Sequence, residues 1–202
     1  MFTEVPEQIM SYCFIKPNHK VLEIGGNIGR NSMIISSCLN DSSNHVILET
    51  NKKNAMICAK NIKKNNFNSK VVPYALSKRK LIQKGWKTIP SNVILKGYKS
   101  VKILDIKQLN DKYKIKFNVL VLDCEGAFFY ILKDMPEILN GIELIIMEND
   151  YSDINHYKYV KEQLLKNNFI NICSLDGKDV GADWSPCCNF FFETWAVNDY
   201  TK

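Results

Sequence analysis

Proline and glycine are scarce in this sequence, with six prolines and nine glycines among 202 residues. Disordered, collagen-like and low-complexity chains are rich in one or both, so these classes are excluded. The remaining composition, 46% apolar and 24% charged, is typical of a globular chain. No linker or internal repeat divides it. We therefore expect one domain over residues 1–202, with a core in about 20–150 and a C-terminal helix and strand pair in 151–202.

Cysteine pairs at metal-binding spacing are absent. The seven cysteines are odd in number and none stands in a Cys-x-x-Cys pair, which argues against a zinc site or a disulfide framework and for a reducing compartment. The first ten residues lack the apolar run of a signal peptide. No stretch approaches the roughly 20 apolar residues of a membrane span. We therefore expect a cytoplasmic protein without a membrane span.

Arginine is nearly missing. Of the 27 basic residues only Arg30 and Arg79 are arginine, and the rest are lysine. Arginine is expected where phosphates are bound in a bidentate manner, so the net charge of +6 gives little support for nucleic-acid binding. AT-rich coding also accounts for an excess of Lys, Asn and Ile.

Short apolar runs alternate with longer amphipathic segments from Lys20 onward. This alternation is typical of strand–helix units around a parallel sheet and predicts an α/β fold. Strands are predicted over residues 20–24, 45–49, 70–74, 119–123, 144–148, 169–174 and 190–197. Helices are predicted to begin near Arg30 and to cover 51–67 and 157–167. Five lysines of the 51–67 helix fall on its solvent face, namely Lys52, Lys53, Lys60, Lys63 and Lys64.

The segment 77–118 interrupts this rhythm, because it is long and basic and contains Gly85, Trp86, Pro90 and Gly97. Insertions between strands are where α/β enzymes commonly carry substrate loops. We therefore expect this segment to border the acceptor site.

A glycine loop is the most informative feature of the sequence. From Val21 to Ser32 the chain reads Val-Leu-Glu-Ile-Gly-Gly-Asn-Ile-Gly-Arg-Asn-Ser. A buried strand that leads into a glycine turn and then a helix points backbone N–H groups into a crevice at the carboxyl end of the sheet. The spacing fits neither the Walker loop nor the dinucleotide fingerprint Gly-x-Gly-x-x-Gly. An ordinary strand-to-helix turn is the alternative for the glycines taken alone.

Acidic residues close the first two strands. Glu23 stands just before the glycines, where its carboxylate favours a cationic ligand group and repels a pyrophosphate. S-adenosylmethionine (SAM) carries an ammonium and a sulfonium and fits that position. Glu49 ends the next strand, where such sheets present a carboxylate to ribose hydroxyls. The two acids together predict a SAM site.

Four segments carry a family resemblance. They are Glu23-x-Gly-Gly-Asn-Ile-Gly29, His45-Val-Ile-Leu-Glu-Thr-Asn51, Val72-Pro-Tyr-Ala-Leu-Ser77 and Val121-Leu-Asp-Cys-Glu-Gly-Ala127. Over roughly residues 20–150 the chain resembles the FkbM family of SAM-dependent methyltransferases. The resemblance implies the class I methyltransferase fold, a Rossmann-like, mostly parallel seven-stranded sheet with helices on both faces and an antiparallel last strand. It also implies O-methylation of a sugar hydroxyl in a glycan or glycoconjugate.

The family motifs imply which residues contact SAM. These are Glu23, Gly25, Gly26, Asn27, Ile28, Gly29, Asn31 and Ser32 around the methionine, Glu49, Thr50 and Asn51 around the ribose, Tyr74, Ala75 and Leu76 beside the adenine, and Asp123. The chain departs from the family pattern at four positions. Asp and Ala are usual where Glu23 and Gly26 stand, Pro is usual at Thr50, and Phe128 replaces an acid.

Acids at two further strand ends are the predicted catalytic groups. Methyl transfer from a sulfonium is an in-line displacement, so an enzyme aligns donor and acceptor and removes a proton from the hydroxyl. Asp123 and Glu125 follow the fourth strand and Glu148 ends the fifth. For Glu125 the alternative is an interaction with a helix N-terminus.

Metal assistance is a second hypothesis for the same strand ends. Asp123, Glu148 and Asn149 are similar in pattern to the magnesium site of catechol O-methyltransferase, and oxygen ligands of this kind suit Mg²⁺. The ion would hold two neighbouring hydroxyls of the acceptor.

Aromatic residues and one histidine complete the candidates. Trp86, Tyr98 and Trp184 fall in irregular segments, where aromatic faces stack on sugars, and core packing is the alternative for each. Trp195, inside the last strand, is predicted to lie in the core. His156 is either a general base or an ordinary exposed side chain.

Two rivals to the sugar O-methyltransferase stay open. Lys78-Arg-Lys80, Lys84, Trp86 and Lys87 interleave basic residues with an aromatic, which prompts an RNA methyltransferase. Base methylation, however, calls for Asn/Asp-Pro-Pro-Tyr/Phe where the chain reads Asp123-Cys-Glu-Gly. The apolar Phe128 and Phe129 prompt a SAM-binding module without catalysis.

Overall fold

The computed structural model describes residues 5–198 and residue 200. In chain order its helices and strands are α1 (Val5–Phe14), β1 (Val21–Ile24), α2 (Arg30–Cys38), β2 (His45–Leu48), α3 (Lys52–Lys64), β3 (Lys70–Val72), β4 (Ala75–Leu76), β5 (Leu81–Lys84), β6 (Lys87–Pro90), β7 (Lys99–Val101), β8 (Ile103–Leu104), α4 (Ile106–Tyr113), β9 (Val119–Leu122), α5 (Phe128–Asp134), β10 (Leu144–Glu148), α6 (Ile154–Lys166), β11 (Phe169–Leu175) and β12 (Phe192–Val197). All seven predicted strands are present, with ends that differ by at most two residues.

A seven-stranded sheet forms the centre of the described chain, in the order β11-β12-β10-β9-β1-β2-β3. β12 runs antiparallel to both of its neighbours, β10 and β11, whereas the pairs from β10 to β3 are parallel. The predicted α/β fold with an antiparallel last strand is therefore confirmed.

The central strands are buried on both faces, which explains their unbroken apolar sequences. Every residue of β1, β2 and β9 is buried. One core cluster includes Phe128 and Trp195 and packs with α4, α5 and α6. A second includes Met10 and Ile35 and packs with α1 and α2. The prediction that Trp195 lies in the core is confirmed, at 1% exposure.

Local chemistry sets the ends of the elements next to the site. β3 stops at Val72 because Pro73 has no N–H to donate to a ladder. α3 begins after Asn51, whose side chain accepts hydrogen bonds from the N–H groups of Lys53 and Asn54. All five lysines predicted on its solvent face are exposed.

The insertion contains more regular structure than the sequence indicates. β5 pairs in antiparallel fashion with β6 and with β7 in a three-stranded sheet of its own, and β4 pairs with β8 in parallel. Gly85 and Trp86 form the turn between β5 and β6. This sheet lies over the carboxyl ends of β1 and β2, since Gln83 Nε2 donates a hydrogen bond of 2.7 Å to Thr50 Oγ1.

Among the described residues, no helix has the length and apolar character needed to cross a membrane. The division into a 20–150 core and a C-terminal unit stays a prediction.

Candidate functional site

The glycine loop follows β1 and is held closely by its neighbours. Gly25 has a φ of +100°, and a Cβ there would lie 1.5 Å from the backbone oxygen of Asp123, so only glycine fits. The N–H groups of Gly25 and Gly26 both donate to Leu48 O, at 2.9 and 3.1 Å. These two N–H groups therefore do not face the crevice, because the carbonyl at the end of β2 accepts both of them.

Glu49 fixes the loop from the next strand. Its Oε2 accepts from Asn27 N at 2.8 Å and its Oε1 from Asn51 N at 2.6 Å. Burial raises the pKa of the Glu49 carboxyl, and these two hydrogen bonds oppose the rise. A carboxylate has about four acceptor positions, so lone pairs remain for a ligand hydroxyl.

A cavity of about 740 Å³ opens at the carboxyl ends of the central strands. Its size is that of a typical small-molecule site. Ten of the predicted SAM contacts line it: Gly25, Asn27, Ile28, Glu49, Thr50, Asn51, Tyr74, Ala75, Leu76 and Asp123. The predicted catalytic residue Glu125 lines it as well. Four segments far apart in sequence thus meet around one cavity, and their contact with a ligand stays a prediction.

The other predicted contacts lie beside or behind this wall. Glu23, Gly26 and Asn31 border a second, water-sized cavity of about 10 Å³, which Asp123 also lines. Gly29 is buried against α3, since a Cβ there would lie 2.9 Å from Cys58 Sγ. Ser32 is fully buried. Gly29 and Ser32 line neither cavity, and their contact with a ligand stays a prediction.

The Glu23 carboxylate is held by a hydrogen bond with His45, the first residue of β2. The Glu23 Oε2 atom lies 3.1 Å from His45 Nε2, and both side chains are buried. The other ring nitrogen, Nδ1, lies 3.2 Å from Ser36 Oγ, which in turn donates to Ser32 O at 2.7 Å. This network fixes the carboxylate at the edge of the small cavity. Sequence reasoning missed His45 because it reads as an ordinary strand residue.

Three carboxylates meet behind the glycine loop. Oxygen atoms of Glu7, Asp123 and Glu148 lie within 4.8 Å of one another. Burial raises the pKa of Asp123 well above its ordinary value, and the charges of Glu7, Glu148, Asp150 and Glu125 raise it further. Such a site favours a cationic ligand, because a positive charge relieves the repulsion. Glu7 reaches it from α1, and no sequence signal connects it to the strand ends.

Two of the three residues of the magnesium hypothesis belong to this group. Asp123 and Glu148 come together as predicted, with Glu7 as their acidic neighbour. The Asn149 Nδ2 group donates to Phe190 O at 2.7 Å and to Glu193 Oε2 at 2.9 Å. Its Oδ1, the atom that would hold a metal ion, is buried without a hydrogen-bond partner. Carboxylate oxygens suit Mg²⁺, and the metal role of Asp123, Glu148 and Asn149 stays a prediction.

The insertion supplies the opposite wall of the large cavity. Leu81, Gln83, Trp86, Thr88 and Pro90 line it. The expectation that this segment borders the site is met by position, although a small sheet rather than an irregular loop does so.

An ion pair joins this wall to α5. Arg79 donates from Nη2 to Asp134 Oδ1 at 2.7 Å and from Nε to Oδ2, and these hydrogen bonds lower the pKa of Asp134. The Arg79 guanidinium also lies 5.0 Å from the ring centre of Tyr130. All three residues line the cavity.

Only one of the three aromatic candidates for sugar stacking lies at the large cavity. Trp86 lines the cavity, whereas Tyr98 and Trp184 do not. His156 stacks on Phe129 at 3.8 Å between ring centres and also lies outside the cavity. Phe128, which replaces the family acid, is 2% exposed and belongs to the core.

No protein-family model matches the chain, and no curated protein matches it. Solved structures do share its fold. A putative rRNA methylase from Clostridium thermocellum superposes with a TM-score of 0.55 at 12% identity, over 96% of this chain and 94% of that one. The O-methyltransferase from Bacillus cereus in complex with SAH gives 0.54 at 15% identity, over 95% and 78%. M. capricolum TrmK in complex with S-adenosyl-homocysteine gives 0.59 at 10% identity, over 96% and 68%. The chain therefore has the Rossmann-like fold of SAM-dependent methyltransferases.

Proposed function

We propose that this chain is a SAM-dependent O-methyltransferase whose acceptor is a hydroxyl of a sugar in a glycan or glycoconjugate. The observation that carries the proposal is the cavity of about 740 Å³ lined by Gly25, Glu49, Tyr74 and Asp123. The FkbM resemblance connects these same segments with SAM and with a sugar acceptor. The solved neighbours that hold S-adenosylhomocysteine share the fold, which supports SAM as the donor.

Three parts of the cavity wall would bind the ribose, the ammonium and the adenine of the donor. Glu49, which already accepts two backbone N–H groups, would accept the ribose hydroxyls with its remaining lone pairs. The small cavity beside Glu23 and Asp123 would take the ammonium, because carboxylates favour a cation there. Tyr74 to Leu76 would border the adenine. The donor supplies an electrophilic methyl group on its sulfonium.

The proton of the acceptor hydroxyl would pass to the Asp123 carboxylate. Asp123 lines both cavities, and its raised pKa makes it a stronger base than an ordinary carboxylate. Trp86 and Tyr130 line the same cavity and offer aromatic faces of the kind that stack on sugar rings. Glu125, also in the wall, and Glu148, beside Asp123, would orient the hydroxyl.

An RNA methyltransferase is the second candidate. One of the solved structures that share the fold is a putative rRNA methylase. Exposed Lys80, Lys84 and Lys87 lie near Trp86 in the insertion. Against it stands the sequence Asp123-Cys-Glu-Gly after β9, which differs from base-methylation motifs.

One assay separates these candidates. The protein is incubated with methyl-labelled SAM and either a panel of mono- and oligosaccharides or a mixed RNA pool, each with and without EDTA. The proposal expects label in a saccharide and a large loss with Asp123→Asn. Label in RNA alone favours the second candidate, and absence of turnover with every acceptor favours a non-catalytic module. Loss of activity in EDTA identifies metal assistance.

A further inference from the structure

Charge is strongly segregated along this chain. Residues 50–104 contain 14 of the 27 basic residues and none of the 21 acidic ones, so the rest of the chain is net acidic. The α3 lysines and the insertion share this acid-free segment. The modest net charge of +6 therefore conceals a basic segment, which attracts anionic surfaces. Lys78 and Arg79 of this segment are paired with Glu137 and Asp134.

Two lysines of the insertion share its outer face. β-strand side chains alternate between faces, and Gln83 and Thr88, which are paired in the hairpin, line the cavity. Lys84 and Lys87 are the next pair in the ladder and lie on the opposite, outer face. Two like charges directly opposite each other weaken a strand pair. A partner of negative charge would remove that cost.

Exposed apolar side chains accompany the lysines. Trp86, at the hairpin turn, is 63% exposed, and Val93, Ile94 and Leu95, in the loop from β6 to β7, are 65%, 67% and 45% exposed. This loop returns to the hairpin turn, since a Cβ on Gly97 would lie 3.5 Å from the Lys84 side chain. Tyr98 N donates to Leu95 O at 3.0 Å, which brings Leu95 to the same end.

We infer that the outer face of the insertion docks on an anionic lipid bilayer. An amphipathic aromatic, three neighbouring aliphatic side chains and lysines without nearby acids are the combination that binds the membrane interface. RNA explains the lysines and Trp86 but leaves no partner for Val93, Ile94 and Leu95. The bilayer is a partner for both groups.

Docking has a consequence for the acceptor, which rests on the proposed function. Trp86 and Gly85 line the mouth of the large cavity, so a protein bound through this hairpin holds that mouth at the bilayer surface. The acceptor sugar then reaches that mouth as part of a headgroup or a lipid-linked saccharide, and the free saccharides of the assay above serve as its soluble substitutes.

The test is flotation of the full chain with vesicles of phosphatidylcholine alone or with added phosphatidylserine. We expect binding only to the anionic vesicles, with an affinity that falls as salt rises. Lys84→Gln with Lys87→Gln should lower binding roughly thirtyfold, on the basis of about 1 kcal/mol per lysine. The matched pair Lys60→Gln and Lys63→Gln on α3 should lower it much less. Equal loss in the two pairs would overturn the docking face.

Tryptophan fluorescence tests the apolar contact separately. Trp86→Phe should abolish the blue shift caused by anionic vesicles, whereas Trp184→Phe, which changes the other exposed tryptophan (59% exposed), should retain it. The reverse result, or tight binding of a single-stranded RNA without vesicle binding, overturns the inference. Neither readout requires methyl transfer, so donor binding by calorimetry reports on the proposed function independently.

Discussion

Gly25 is the position where one added methyl group tests the cavity most severely. Its φ is +100°, and a Cβ would lie 1.5 Å from the backbone oxygen of Asp123, whereas carbon and oxygen normally approach to about 3.3 Å. In Gly25→Ala the loop or the end of β9 must therefore shift by well over an ångström. Since a misplacement of about 1 Å costs roughly a hundredfold in rate, we expect turnover to fall at least that far. Donor affinity should fall at least about tenfold, or about 1.4 kcal/mol.

Gly141→Ala is the matched control. Gly141 has a φ of +79°, and a Cβ there would contact nothing within 4 Å. Both variants carry the backbone penalty of a positive φ, about 1–2 kcal/mol, but only Gly25→Ala disturbs the cavity. Thermal unfolding measures the shared penalty, and calorimetry with S-adenosylhomocysteine measures binding. Wild-type affinity in a folded Gly25→Ala protein would refute the placement of the donor.

Three further predictions follow from the buried carboxylates. Glu49→Gln keeps the side-chain shape but loses one of the two oxygen acceptors for Asn27 N and Asn51 N. It should lower the free energy of unfolding, measured by chemical denaturation, by about 1–3 kcal/mol. Glu137→Gln, at an exposed position, should be nearly neutral in that assay. The pKa of Asp123 is higher in the folded protein than in the unfolded chain, so the folded state loses stability as pH rises above the unfolded value of about 4. Asp123→Asn should therefore have a higher melting temperature than wild type at pH 8, and the difference should disappear at pH 4. SAM carries one positive charge more than S-adenosylhomocysteine, at its sulfonium. The preference for SAM, measured by competition, should therefore grow with pH as Asp123 loses its proton. A constant ratio would show that the Asp123 carboxylate lies away from the sulfonium.

The central sheet was predictable because each strand is a short apolar run with its own boundaries. β1, β2 and β9 are buried on both faces, so each is an unbroken apolar run that stands out from the polar residues around it. The cavity wall followed from the same logic, since Gly25, Glu49 and Asp123 stand at or beyond strand ends that meet at one edge of a parallel sheet.

The small sheet of the insertion could not be predicted in the same way. β5 and β6 carry Gln83, Lys84, Lys87 and Thr88 between few apolar residues, so their alternation is weak. Their pairing depends on contacts with the rest of the chain, among them the hydrogen bond from Gln83 to Thr50. Gly85, Trp86, Pro90 and Gly97 indicated an irregular segment and did not indicate this pairing.

Long-range contacts account for the remaining differences at the site. Glu7 lies far from Asp123 and Glu148 in sequence and meets them only because α1 packs beside the sheet. Asn149 follows Glu148 directly, yet its amide is taken by Glu193 of the antiparallel strand β12. Neither contact leaves a trace in local sequence patterns.

Isothermal titration calorimetry of the full chain with SAM, S-adenosylhomocysteine and NAD tests the central claim most directly. We predict that SAM binds one molecule per chain, that S-adenosylhomocysteine competes with it, that NAD gives no heat, and that Gly25→Ala weakens SAM binding while Gly141→Ala does not. Binding of NAD in place of SAM, or SAM binding that is indifferent to Gly25→Ala, would contradict the account.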